Sequence, residues 1–511
     1  MAIPWSQSMT EHHRWPVWVE AVGFLTLVIL AAVLRSGLDY RTAALPEATH
    51  LFGGWQVLHG QETHAMAFHP GWPPLSMTPL AWADAMGGLV GARALSAGWG
   101  LLTVVVVALT ARRLYGSSAG FIAGGLVAVY GPAIHVGTFA TQDSLGVFLV
   151  ATAVHLAMVA LTGGRRFLYV FVGLALALAT VVHYVALVGA LALIEFLAIL
   201  VIASILSRPR TGADQPSSSF QTPGLLSLVG VLLPLIAVMI PYASIYRADL
   251  LAFLQSLVLT AQSDQTGSWQ IFKLLRDLLW LPFLMGILAF DWRGRRIPAA
   301  GLLAMAAAWL GYQFWNRDTG NLVRLTAYVF VVVAPMAAGG LVTLGQDWGQ
   351  HRHRWLKGAL IGLLALGVIV YVGWSGQAVL AGNRGYWPDA TQLVEYLRSH
   401  VSDGDEILME QGIIGRYYLI AHPTPGHTPA NIWDTWWYQD EEGEGSGADL
   451  YARAIRQGRF DFVVFDYTVS ADLDRQLLPV LQDGYHLAIT FPSDTSFSPG
   501  IEVYRRRSPS E

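Results

Sequence analysis

At 511 residues, 54% hydrophobic and only 13% charged, with 19 tryptophans, the chain is too apolar for a soluble enzyme of this length and reads as a membrane protein. Its formal charge of −4, without any long Lys/Arg block, argues against nucleic acid as a partner. The absence of cysteine excludes disulfides, thiolate metal sites and cysteine nucleophiles.

The first apolar run, Val17 to Leu34, follows Arg14, is long for a signal-peptide core and lacks a small-residue cleavage site, so it reads as a retained transmembrane helix. A span needs about 20 largely apolar residues. On that basis about eleven helices are predicted, near 17–35, 94–112, 118–136, 144–162, 167–182, 186–206, 224–246, 277–292, 298–315, 324–345 and 357–379. The even-numbered helices are followed by Arg112 and Arg113, by Arg165 and Arg166, by Arg208 and Arg210, by Arg293, Arg295 and Arg296, and by Arg352, Arg354 and Lys357. Basic loops face the cytoplasm, so the N-terminus is expected inside and the C-terminus outside.

The first external loop, 36–92, is too long for a simple connection. Ala48 to Leu58 is expected to form a short helix at the interface, ended by the prolines of HPGWPPLSMTPLAW. The stretch Ser207 to Gly224 reads as a Ser/Pro-rich linker. From Trp387 the composition becomes that of a soluble domain, with helices expected at 389–401, 449–457 and 471–482 and strands at 406–410, 461–466, 486–491 and 501–505. The expected fold is mainly α, a polytopic transmembrane helical bundle spanning 1–382 with a C-terminal soluble α/β domain at 383–511. A multi-pass protein of the plasma (inner) membrane, in contact with membrane lipids, is implied, with an extracytoplasmic C-terminal domain.

Two acids sit on the external side. Glu47, in LPEATH, follows a proline able to start a helix whose first turn favours a carboxylate. Helix capping and chemistry are therefore equal readings, since ionisable groups at membrane depth are by default functional candidates. Asp143, in ATQDS, can cap the fourth predicted span or pair with Glu47, one acid deprotonating an acceptor while the other orients it or binds a divalent metal. His183 and Tyr184 lie near the external end of the fifth helix, where histidine is either a structural hydrogen-bonder or a cleft residue. Arg324 opens the tenth, where it can hold a phosphate or pair with Asp318. Lys273 and Arg276 read as headgroup contacts. His50, His59, His64 and His69 with Glu62 match no compact zinc spacing and read as solvated or acceptor-binding residues, His50 standing beside Glu47. The acidic run 440–444 reads as a solvated loop.

In order, these features resemble the GT-C fold glycosyltransferases, specifically relatives of the protein O-mannosyltransferases and lipid A aminoarabinose transferases. The resemblance rests on the acidic first external loop, HPGWPPLSMTPLAW, ATQDS at the start of helix four, GLALALA in helix five, Arg324 ahead of an apolar helix containing Pro335, and the external α/β domain. It implies a lipid-linked sugar donor, usually a polyprenyl phosphate sugar, and an acceptor protein or glycolipid, with Glu47 and Asp143 as the catalytic acids and Arg324 on the donor phosphate. Relatives usually read Asp-Glu where this chain has Pro46-Glu47, and often have lysine where it has His183 and Tyr184. Pro46 motivates a second reading: a non-catalytic GT-C scaffold or subunit with a protein complex partner. A transporter is disfavoured because the acids cluster on one face instead of the midplane.

Overall fold

The computed structural model describes residues 16–61, 74–206, 223–247, 250–251, 255, 266–288, 296–316, 322–347, 354–423, 431–435, 438–440, 443–445, 447–493, 495 and 498–507. They fall into two compact units, one drawn from Met1–Ser36 and Ser96–Leu380, the other from Gly37–Leu95 and Ala381–Glu511.

The first unit is helical, and over the described residues each predicted span falls on a helix except 118–136, which falls on two. Eight helices are long and apolar enough to cross a membrane among the described residues, or nine if one bent pair counts as a single span. That pair, Ser117–Val129 and Gly131–Thr138, is bent by 63°. Tyr130, whose ψ of 113° is extended, and Pro132 in the next turn interrupt the ladder there. Leu168–Val182 and the apolar stretch Leu279–Leu288 are shorter than a full span. Helix Leu322–Asp347 is the axis of the unit: 94% of its apolar window is buried, against 17% for Leu225–Ile245 and 11% for Val17–Leu34. Its Val329–Ala338 stretch is buried on every side, packing on Thr266–Leu288, Arg296–Asn316 and Ser117–Val129. A helix apolar all round belongs in the centre, whereas one apolar toward lipid leaves large side chains such as Leu233 and Ile240, each 65% exposed, on its outer face.

The first loop differs from expectation at one point. Its opening helix runs Leu45–Leu58, but helix also resumes at Pro74 and continues to Tyr115, where the prolines were expected to end it. Proline suits the first turn, whose N–H groups have no helical partner. The interruption comes instead at Gly87 and Gly88, where Gly88 takes φ +62°.

The second unit contains a five-stranded sheet in the order β2-β1-β5-β7-β6, formed by β1 Glu406–Met409, β2 Asn431–Asp434, β5 Phe462–Phe465, β6 Tyr485–Pro492 and β7 Gly500–Arg506. β1 pairs parallel with β2 and β5, while β7 is antiparallel to β5 and β6. The helices Ala448–Arg456 and Ala471–Leu481 pack against it through Tyr451, Ile455, Leu477 and Leu481. The four-residue β2 and the hairpin of β3 Tyr438–Asp440 with β4 Gly443–Gly445, which takes in most of the acidic run read as loop, were not expected.

Candidate functional site

Glu47 lies in the first turn of Leu45–Leu58, and the Ala44 N–H donates to its Oε2 at 3.1 Å. The carboxylate is fully buried, and Arg93 grips it with two hydrogen bonds, Nε to Oε1 at 2.8 Å and Nη2 to Oε2 at 2.7 Å. The remaining N–H groups of Arg93 donate to the carbonyls of Leu38 at 2.7 Å, Arg41 at 3.1 Å and Thr42 at 3.3 Å. All five donors of the planar guanidinium are thus used, and the ring of Tyr40 stacks on it with the centroid 4.3 Å from Cζ. Arg93 gathers residues 38–47 around one buried cation. The sequence carried a signal for it, an arginine inside an apolar helix. The helix-capping reading of Glu47 is directly visible, joined by a bidentate ion pair that residue spacing alone did not reveal.

The same loop is tied down further within its unit. Arg41 Nη1 donates to the Trp387 carbonyl at 2.9 Å, the Tyr418 hydroxyl accepts from Ala43 N at 2.7 Å, and Thr42 bridges Asp389 and the Ala390 N–H. His50 is buried, its Nδ1 2.7 Å from the Pro46 carbonyl one turn back. His59 is exposed and bonds the Trp55 carbonyl. His64, His69 and Glu62 lie outside the described residues. Nearby, Asp84 accepts from Tyr417 Oη at 2.7 Å and meets His422 Nε2 at 2.8 Å. No sequence signal pointed to this trio, because Asp84 lies more than 300 residues before Tyr417 and His422.

Asp143 begins helix Asp143–Gly163 in the first unit, where a carboxylate suits the positive helix end. Thr141 Oγ1 donates to its Oδ2 at 2.9 Å, His183 Nε2 lies 3.3 Å from Oδ1, and Arg324 Nη1 lies 3.9 Å from Oδ2. Three helix ends converge to make this group: the start of Asp143–Gly163, the residue after Leu168–Val182 and the first turn of Leu322–Asp347. One turn beyond Arg324, Tyr328 stacks beside His183 at 5.7 Å between centroids. Gly146 makes that possible, since a Cβ there would overlap the Tyr328 hydroxyl and approach His183 Cβ at 3.3 Å. Around the acid, Ser144 Oγ, His183 Nδ1 and Tyr328 Oη are buried without a hydrogen-bond partner among the described residues.

Asp143, His183 and Arg324 were predicted and are brought together. Tyr328 was missed, although its place four residues after Arg324 puts both on one helix face. Tyr184 turns elsewhere, its hydroxyl 2.8 Å from that of Tyr242. Asp318 lies outside the described residues, so the pairing of Arg324 is seen only with Asp143. Arg276 is exposed, and the Lys273 side chain is outside the described set. Among the described residues, one carboxylate and one imidazole are the donors at Asp143, and a guanidinium lies 3.9 Å away, a set poor for a divalent metal. Among the described residues no group of three or more His, Cys, Asp or Glu could hold a metal ion.

Residues 85–211 match the family model described as dolichyl-phosphate-mannose-protein mannosyltransferase. A comparison with the curated proteins returns no significant match. Among solved structures, ArnT from Cupriavidus metallidurans bound to undecaprenyl phosphate superposes with a TM-score of 0.61 at 14% identity, covering 95% of this chain and 98% of that one. Its apo form gives 0.60 at 15%, covering 94% and 98%. The archaeal oligosaccharyltransferase AglB from Archaeoglobus fulgidus, in complex with an inhibitory peptide and a dolichol-phosphate, gives 0.59 at 13%, covering 96% and 75%. The chain has the GT-C fold. Within the GT-C fold, the Asp143 group stands in the helical unit and the Glu47–Arg93 pair in the unit that carries the sheet.

A second titratable cluster lies at the carboxyl ends of β1 and β5. Glu410 is buried and accepts from the backbone N–H groups of Asp466, Thr468, Val469 and Ser470. Burial pushes its carboxyl up, but hydrogen bonds from Asp466, Asp474 and the backbone outweigh it and hold Glu410 below the usual range. Burial, then the charge of Glu410, pushes Asp474 up to about 9. Burial and the bond to Glu410 likewise drive Asp466 well above its ordinary value. Protons shared among three carboxyls, one of which accepts four backbone N–H groups, explain the cluster as a structural lock.

Proposed function

We propose that the chain is a glycosyltransferase that moves a sugar from a polyprenyl-phosphate-linked donor to an acceptor, a protein or a glycolipid, at the external face of the inner membrane. The observation that carries this reading is the Asp143–His183–Arg324 group, a carboxylate, an imidazole and a guanidinium brought together by three helix ends. It is supported by the fold, whose solved examples hold undecaprenyl phosphate in one case and a dolichol-phosphate in another.

In the proposed reaction the acceptor oxygen attacks the anomeric carbon as the bond from that carbon to the phosphate oxygen breaks, and the electron pair leaves with the phosphate. Arg324 supplies the fork of N–H donors for the departing charge, and Tyr328 and Ser144 offer further hydroxyls. Asp143 takes the acceptor proton, with His183 holding the carboxylate in position. For Glu47 we propose a positioning role through Arg93, since both oxygens are engaged, and hold direct catalysis by Glu47 as the competing assignment. The test is transfer from a labelled polyprenyl phosphate sugar pool in membranes containing the chain. Asp143→Asn and Arg324→Gln should each abolish most turnover in folded protein. Full turnover in both variants would overturn the assignment.

The second reading is a non-catalytic GT-C scaffold within a membrane complex, favoured by the commitment of Glu47 to Arg93. It expects a stoichiometric co-purifying partner and no transfer by the wild-type chain.

A further inference from the structure

The end of the helical unit remote from Asp143 carries a cavity of about 550 Å³. Arg112, Arg113, Arg165 and His155 line it together with the apolar side chains of Leu109 and Val159. Its residue Gly163 closes the helix that Asp143 opens. At 1.5 Å per residue the two sites are separated by ~30 Å along that helix, the thickness of a hydrocarbon core.

Among the described residues the charge of the cavity is unbalanced. Arg112 is paired with Glu20 at 2.5 Å. Arg113 donates its Nε to the neutral Thr162 hydroxyl at 2.9 Å, and neither Arg113 nor Arg165 has a carboxylate partner among the described residues. His155 is held by Thr110 Oγ1 at 3.1 Å from Nδ1. Gly163 leaves room for the guanidinium, because a Cβ there would come within 3.0 Å of Arg113 Nη2. Arginine at a helix end is favourable for the helix, and basic loops set orientation, but neither effect calls for a cavity between two helices with an apolar wall. A cationic rim over leucine and valine matches an amphipathic anion, with the phosphate at the rim and an acyl chain along the helices.

We infer that this cavity binds the phosphate headgroup of an anionic membrane lipid, at the opposite end of the helical unit from the candidate transfer site. The probe is native mass spectrometry of the whole chain titrated with dioleoyl phosphatidylglycerol and, in parallel, dioleoyl phosphatidylcholine. Phosphatidylglycerol should bind at least about tenfold more tightly, and removing a basic residue should weaken it about fivefold for each arginine. The double variant Arg113→Gln, Arg165→Gln should therefore lose most of the preference while its phosphatidylcholine adducts stay unchanged. Val159→Trp, which fills the cavity without touching charge, should also lose the phosphatidylglycerol adduct, and decides the matter if the arginine variant does not fold. Millimolar inorganic phosphate should not displace the lipid. Equal binding of the two lipids, unchanged binding in both variants, or displacement by inorganic phosphate, which marks a small-anion site, would each overturn the inference.

Discussion

Replacing Arg93 with methionine separates the two roles open to Glu47. The change keeps an unbranched apolar side chain in the helix but removes five donors, two of them to Glu47 and three to the carbonyls of Leu38, Arg41 and Thr42. Both partners are fully buried, so the carboxylate is left without its cation in a place water does not reach. Breaking a buried pair from one side costs about 3–5 kcal/mol. For a unit of roughly 150–250 residues each kcal/mol lowers Tm by about 2–4 °C, so a fall of roughly 6–20 °C is expected. The assay is thermal unfolding of purified protein in nanodiscs, followed by tryptophan fluorescence. Replacing both partners, with Arg93→Met and Glu47→Leu together, should recover much of the loss, because a matched apolar pair is about neutral relative to the ion pair. A Tm within 2 °C of wild type for Arg93→Met would refute the structural account. Glu47→Gln with unchanged Tm and abolished transfer would move Glu47 into the chemistry.

Three further outcomes are expected. Arg324→Gln should raise the donor KM by about tenfold or more, the worth of a charge-assisted hydrogen bond to phosphate, measured as initial rate against donor concentration. Gly146→Ala should lower Tm by forcing its Cβ into the Tyr328 hydroxyl and His183, an overpacking cost of about 1–3 kcal/mol read from thermal unfolding. Asp474 has its folded pKa raised to about 9 from 3.8. The folded chain therefore holds a proton that the unfolded chain releases, and the resulting stability is complete below pH 3.8 and lost as pH rises toward 9. Asp474→Asn should flatten that loss, seen as a smaller fall in Tm between pH 6 and 9.

Much of the fold was legible because span length is set by bilayer thickness and shows as apolar runs. Ten of the eleven predicted spans fall on a single helix over their described residues, the span 118–136 falls on the bent pair, and the sheet strands at 406–410, 461–466, 486–491 and 501–505 lie within a residue or two of their observed limits. β2 was not legible, since four residues carry little periodicity and its partner β1 is 25 positions away in the chain. Proline was over-read at Pro74, where a helix begins, because the same ring that breaks an interior turn suits a first one.

For the candidate site, residue type singled out Asp143, His183 and Arg324, which the structure brings together, since acids, imidazoles and guanidinium groups at span ends are expensive. Pairing was beyond reach. Nothing in the order of residues says that Glu47 closes on Arg93, 46 positions later, or that Tyr184 faces Tyr242 while its neighbour His183 faces Asp143. Composition and periodicity thus located the apolar helices and most strands of the sheet, which follow from local hydrophobicity. Only the tertiary structure decided which charges meet, because a buried ion pair depends on the approach of helices distant in sequence and leaves no periodic trace within either one.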